Sequence, residues 1–254
     1  MDQLHLATLN LRNLADRWDE RLPLLLADMA ALQPDLMGLQ EVVYPAQQDR
    51  LLGAAGAGHY RVRRGWAGRP EYGNSILVRE TLTAGDPERV DLGRERSATR
   101  IPLQLPGGTR LVFAVTHLHH LVPDNAVRDE QARGVVDWLD ESTGADAMTG
   151  ADATIVVGDF NADPAEPAYA RMVGAGYRSA YAEANGAEPA VTWPSGLQGP
   201  AIDDDGDPGC LDYIWLRGAV RVVSARLVFD RPAVDDPGLY PSDHVGVAAQ
   251  VEIG

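Results

Sequence analysis

Apolar runs of aliphatic and β-branched residues alternate along this chain with amphipathic stretches, and most of the runs stop on one polar residue. Thr154-Ile155-Val156-Val157-Gly158 reads as a buried strand that ends in Asp159, with Asn161 two positions on. The two-residue period of a strand places Asp159 and Asn161 on one side, at the strand's end. Leu4, Leu6 and Thr8-Leu9 predict a first strand ending at Asn10. Trp18, Leu22, Leu25, Met29 and Leu32 recur at helical spacing, so 17–33 reads as an amphipathic helix that Pro34-Asp35 breaks. Leu36-Met37-Gly38-Leu39-Gln40 is the next strand, with Glu41 at its end.

Further along, the pattern predicts a helix over 44–56 and strands over 59–66 and 74–79 around a Gly/Arg/Pro turn. Strands near 98–105 and 110–116 flank Pro106-Gly107-Gly108, a hairpin turn. Asp124 is placed to cap a helix running to about Leu139. Another helix is expected to open at Pro164. Residues 194–210, rich in Gly, Pro and Asp, read as loop, and strands over 211–216, 220–229 and 245–253 close the chain. No repeat and no compositional break divides it, so residues 1–254 read as a single domain. Hairpins mixed with helical crossovers imply a mixed sheet, or two sheets packed together with helices outside.

Composition narrows the classes. The net charge of −15 repels polyanions at long range and argues against a dedicated DNA-binding module, although a bound cation screens an anionic substrate locally. The charge is uneven: residues 61–100 carry nine arginines against six acids, while 179–216 carry seven acids and no base. There is no lysine, so a side-chain phosphate clamp here must use arginine. Nothing approaches a membrane span, and no membrane insertion is expected. The start lacks the basic and apolar regions of a leader, which points to the cytoplasm while leaving a removed leader and export open. Cys210 is the only cysteine, so no internal disulfide forms.

Polar residues recur at the predicted strand ends: Asn10, Glu41, His117, Asp159 with Asn161, Asp212, and Asp243-His244. Each alone has a bland explanation, such as a turn cap, a surface acid, a satisfied core imidazole or an arginine's partner. Together they do not, because unpaired carboxylates, amides and imidazoles are costly to bury. Phosphoester hydrolysis accounts for the whole set. It needs a hard cation on oxygen ligands such as Glu41, Asn10 and Asp243. It needs an acid to activate or orient water, for which Asp159 is placed. It needs donors for charge developing on phosphoryl oxygens, for which Asn161, His117 and His244 are suited. Asp212 is the candidate for fixing a histidine's tautomer and keeping it cationic. The His117-Leu118-His119-His120 cluster lacks the spacing of a helical zinc site, and no GxSxG turn suggests a serine nucleophile.

The order of these motifs resembles the endonuclease/exonuclease/phosphatase superfamily, which has the deoxyribonuclease I-like fold. Thr8-Leu9-Asn10, Leu39-Gln40-Glu41, Tyr72-Gly73-Asn74, Thr116-His117-Leu118, Gly158-Asp159-Phe160-Asn161, Leu211-Asp212-Tyr213-Ile214 and Ser242-Asp243-His244 carry the resemblance from Leu4 to Val251. It implies an α/β fold, a four-layered sandwich of two mixed β-sheets face to face flanked by helices, with the site at one end. It implies dependence on Mg²⁺ or Mn²⁺, and in-line attack of water without a covalent enzyme intermediate. By similarity Glu41 is the principal metal ligand with Asn10 beside it, and Asp243 belongs to the metal or water network. Asp159 activates or orients water, Asn161 holds phosphate or water, and His244, paired with Asp212, stabilises the transition state. His117 contacts the phosphate or leaving group. Arg96 stands where relatives carry a phosphate-contacting arginine, with Arg100 the weaker candidate. Tyr72 and Asn74 either line the site or are purely structural.

The substrate is less legible. A phosphodiesterase or nuclease is the first expectation, with no protein partner evident and a nucleic acid or small phosphodiester as the substrate. A phosphomonoesterase acting on a small metabolite or lipid headgroup is the alternative. A silent binding module is the third, although the base, the metal acid and the terminal histidine are all present. Trp193 either stacks on a base or covers the entrance, or else packs against the sandwich edge. The acidic run Asp203-Asp204-Asp205-Gly206-Asp207, if it overhangs the site, disfavours long polyanions.

Overall fold

The computed structural model describes residues 1–55, 60–64, 71–141, 151–202 and 206–254. The helix expected over 44–56 forms as α2 (Ala46–Ala55); residue 56, both ends of the strand predicted over 59–66, most of the Gly/Arg/Pro turn after it, and Asp203 to Asp205 of the acidic run lie outside the described residues.

Two mixed sheets form. In the first, β1 (Asp2–Asn10) runs parallel to β2 (Leu36–Val43). It is extended on one side by β13 (Gly246–Ile253) and β12 (Val220–Val228), and on the other by β4 (Tyr72–Arg79) and β3 (Tyr60–Arg64). In the second, β8 (Arg110–His117) runs parallel to β9 (Ala153–Asp159). On one side lie β11 (Asp212–Gly218) and β10 (Arg178–Ser179); on the other lies β7 (Arg96–Gln104), which pairs with β5 (Thr83–Ala84) and β6 (Glu88–Gly93).

Strand alternation divides the core into three slabs. Leu4 and Leu6 of β1, Phe113 and Val115 of β8, Ile155 and Val157 of β9 and Ile214 of β11 fill the space between the sheets. Ala7 and Leu9 point the other way, against Leu25 and Met29 of α1 (Trp18–Leu32). Val112, Val156, Tyr213 and Trp215 meet Ala132 and Val135 of α3 (Asn125–Glu141) and Met172 of α4 (Pro167–Gly174). These contacts give the expected four layers. Between the sheets a Cβ on Gly38 would lie 2.3 Å from Val157 Cγ2, so glycine is what fits there.

The short elements escaped the sequence. β5, β6, β10 and α5 (Ala180–Asn185) are two to six residues long, too brief to show a period. The helix expected at Pro164 opens at Pro167 instead. Residues 163–166 make a turn in which Asp163 accepts from the Ala165 amide, and Glu166, extended before its proline, is the cap position. Among the described residues, no helix is long and apolar enough to cross a membrane.

Candidate active site

The inter-sheet face changes from apolar to polar at one end of the sandwich. Along β9 that face reads Ile155, Val157, then Asp159; along β8 it reads Phe113, Val115, then His117; along β11 it starts with Asp212 before Ile214. Register aligns the three polar residues in one row, because His117 and Asp212 are each paired with Asp159 across neighbouring strands. Asn10 ends the corresponding face of β1 in the facing sheet, beside Gln40. A Cβ on Gly158 would lie 2.0 Å from the Thr116 carbonyl oxygen, and its φ of 147° suits glycine alone. That close approach brings β8 and β9 together just before the row.

Asp159 is the centre. Its Oδ2 accepts from Asn10 Nδ2 at 3.0 Å, and lies 3.5 Å from His117 Nε2 and 3.6 Å from His244 Nε2. Its Oδ1 accepts from the Asn161 amide at 2.8 Å. Asn161 is left-handed (φ 48°), and its side chain donates to the Leu118 carbonyl, so the chain has turned out of the strand where the sequence suggested simple alternation. Behind His244, Asp212 Oδ2 meets Nδ1 at 2.9 Å, and Thr192 Oγ1 accepts from the Asp212 amide. Asp212 Oδ1, also buried, has no hydrogen-bond partner.

Burial raises the Asp159 carboxyl to about 7, with the neighbouring Asp212 adding to the rise and His244 opposing it. For His244, burial alone acts downward, but the Asp212 and Asp159 carboxylates outweigh it and lift the imidazole to about 10. His117 goes the other way: burial, then Arg96, His244 and His120, hold it well below the usual histidine value. The site therefore pairs a protonated imidazole with a neutral one.

Glu41 sits in a bulge of β2, left-handed at φ 56°, where the register with β4 shifts between Leu39 and Val42. Its carboxylate accepts from Asn13 Nδ2 at 2.8 Å and, more weakly, from Asn10 Nδ2 at 3.5 Å. Asp243 accepts from Ser242 Oγ and lies 3.6 Å from Arg12 Nε. Carboxylate and amide oxygens at this corner suit a hard cation. Asp159, Asp212 and His244 also bring ligand atoms within 4.8 Å of one another, but a protonated His244 leaves only the two carboxylates as donors in that group.

A cavity of about 380 Å³ opens over this floor, lined by Asn10, Glu41, His117, Asp159, Asn161, Asp243, His244 and Trp193, among others. Asp212 supports it from behind. Trp193 is half-buried on the wall, with Gly206 against its ring. Tyr72, Asn74 and Arg96 line an adjoining shallow pocket together with Glu41 and His117, and Asn74 donates to the Ser97 carbonyl at 3.0 Å. Arg100 is elsewhere: it pairs with Glu88 and lies 4.2 Å over the Trp138 ring.

Several participants were missed from sequence. Asn13 touches Glu41, and Arg12 joins Asp243 to Asp16. Arg21, on the buried face of α1, donates to six main-chain carbonyls, including those of Leu11, Arg12, Asn13 and Pro241. It fastens the loop carrying Arg12 and Asn13 to the segment before Asp243. The available signal was an arginine on the apolar stripe of an otherwise ordinary helix.

Nocturnin of Xenopus laevis is 24% identical to this chain over 257 residues, 91% of the chain and 64% of the relative. The chain thus spans less than two thirds of that curated relative's length. Among solved structures, the human Nocturnin catalytic domain with bound sulfate anion aligns with a TM-score of 0.80 at 22% identity, covering 99% of this chain and 95% of that one. D. rerio TDP2 complexed with single strand DNA product aligns at 0.79 with 20% identity, over 99% of this chain and all (100%) of that one. Residues 7–244 match the Endonuclease/Exonuclease/phosphatase family, and the chain belongs to it.

Proposed function

We propose that this protein is a divalent-metal-dependent phosphodiesterase that cleaves its substrate by in-line attack of water. The observation that carries the reading is the convergence of Asn10, His117 and His244 on one carboxylate oxygen of Asp159, beside Glu41 on the same cavity. Glu41, with Asn10 beside it and Asp243 in the surrounding network, would hold Mg²⁺ or Mn²⁺. When bound, that cation polarises the phosphoryl oxygens and helps the leaving group depart.

The side chains divide the remaining work. Asp159, with a carboxyl raised to about 7, is suited to accept a proton from water near neutral pH. His244 Nε2–H, kept protonated by Asp212, donates to the charge that develops on phosphorus-bound oxygen. His117, neutral, offers a weaker donor to the phosphate or leaving group. Asn161 holds phosphate or water, Arg96 contacts phosphate, and Tyr72, Asn74 and Trp193 shape the walls. The single-stranded DNA product in the TDP2 structure supports a nucleic-acid substrate. The proposed compartment is the cytoplasm, for which the lone buried thiol of Cys210 suits a reducing milieu.

Purified protein tests this directly. A diester and a monoester of 4-nitrophenol, run side by side with and without chelator, should show chelator-sensitive hydrolysis restored by Mg²⁺ or Mn²⁺ and faster on the diester. Turnover that survives exhaustive chelation removes the metal, and a preference for the monoester favours the phosphatase alternative. DNA, RNA and lipid phosphoesters then rank the substrates.

A further inference from the structure

A second groove, of about 470 Å³, is lined by Arg94, Arg96, Tyr72, His119 and His120, with Glu95 its one carboxylate. It is continuous with the catalytic cavity. His120 lines both, and Tyr72 and Arg96 line the shallow pocket that also touches Glu41 and His117. Arg96 Nη2 lies 2.9 Å from His120 Nδ1, so the two side chains form one wall.

The backbone that presents these arginines is unusual. β6 ends at Gly93 and β7 begins at Arg96, paired across a two-residue turn. Both turn residues, Arg94 (φ 55°) and Glu95 (φ 59°), are left-handed, positions that hairpins ordinarily give to Asn and Gly. A strained turn built from long charged residues needs a reason beyond chain reversal, and here it projects Arg94 into the groove beside Arg96.

The rest of the catalytic cavity has the opposite character. The lining it does not share with the groove includes Trp193, Asp163 and Asp207, and its two arginines there are already paired, Arg12 with Asp16 at 3.0 Å and Arg128 with Glu166 at 2.7 Å. One side thus attracts a phosphate and the other repels it.

We infer that Arg94, Arg96 and His120 form a second phosphate subsite, so that the preferred substrate carries another phosphate on one side only of the scissile diester. This rests on the phosphodiesterase reading and specifies its substrate. Forked guanidinium donors suit a phosphate's oxygens, and Tyr72 offers a ring beside the linking sugar or base. The aromatic and acidic side accepts a neutral nucleoside or a small leaving group.

Three dinucleotides test it: TpT, pTpT and TpTp, with bis(4-nitrophenyl) phosphate as the reference diester. Cleavage of the internal bond is followed by chromatography. One of the two phosphorylated dinucleotides should exceed TpT in kcat/KM at least tenfold, mainly through KM, and the other should not. Arg94→Glu should remove that gain, Arg94→Lys should restore part of it, and the favoured substrate should lose about one unit of log–log salt slope in Arg94→Ala. Thermal melts of each variant show that the turn still folds. Equal gain from both phosphates, or a gain unchanged in Arg94→Glu, overturns the inference while hydrolysis of the reference diester keeps the phosphodiesterase reading. Failure to hydrolyse any diester, reference included, overturns that reading and the inference with it.

Discussion

His117 and His244 occupy two corners of the same cavity floor, both buried and both about equally far from Asp159 Oδ2, at 3.5 and 3.6 Å. Their protonation nevertheless differs, one held neutral and the other lifted to about 10. Distance to the central carboxylate does not separate them. The groups behind them do: Asp212 stands 2.9 Å behind His244, whereas the charges around His117 are those of Arg96, His244 and His120. Two imidazoles, one ending β8 and the other in the segment just before β13, thus acquire distinct capacities from their outer neighbours.

The largest effect should come from removing what the corners share. Asp159→Ala is expected to cut kcat by about 10²- to 10⁴-fold. The fold should persist, since the change removes a carboxyl whose charged form burial disfavours rather than a packing group, and circular dichroism melts check this. A variant with near wild-type turnover would exclude Asp159 from the reaction. Next, His244→Ala should cost about 10²- to 10³-fold in kcat, as loss of a charged transition-state donor does. His117→Ala, losing a neutral donor, should cost roughly tenfold. Equal losses from the two would show that the difference in protonation has no catalytic consequence.

Asp212→Asn converts the His244 corner into something closer to the His117 corner. Without the carboxylate, burial dominates and the His244 pKa falls, which NMR titration of the metal-free protein would read directly. The sign for stability follows. A histidine lifted from 6.5 to about 10 contributes stability that is complete below 6.5 and is lost as pH rises to 10. The melting-temperature gap between wild type and Asp212→Asn should therefore narrow across that window. The smallest effect is expected from Arg96→Gln, which removes a cation that depresses His117. Its pKa should move upward, while burial still keeps it below the ordinary value.

Much of this floor was legible because strands write their faces in alternate residues. Ile155, Val157 and Asp159 share one face of β9 whatever surrounds them, and so do Phe113, Val115 and His117 of β8. The motif order added the pairing of Asp212 with His244, which the structure places at hydrogen-bond distance. Asn13, Arg12 and Arg21 were not legible, because each acts through a loop whose path no periodicity encodes. The Arg94–Glu95 turn escaped for a related reason: left-handed φ values in arginine and glutamate run against the residue preferences from which turns are read.

The amino-acid order by itself determined which residues face inward, where apolar runs give way to carboxylates, amides and imidazoles, and the family to which the chain belongs. Tertiary structure alone decided that His117, unlike His244, is held neutral, and that the cavity has an arginine-lined side and an acidic one. The physical reason is range. Strand periodicity is local, whereas protonation and electrostatic asymmetry depend on groups tens of positions or more apart in the chain that only folding brings within a few ångströms.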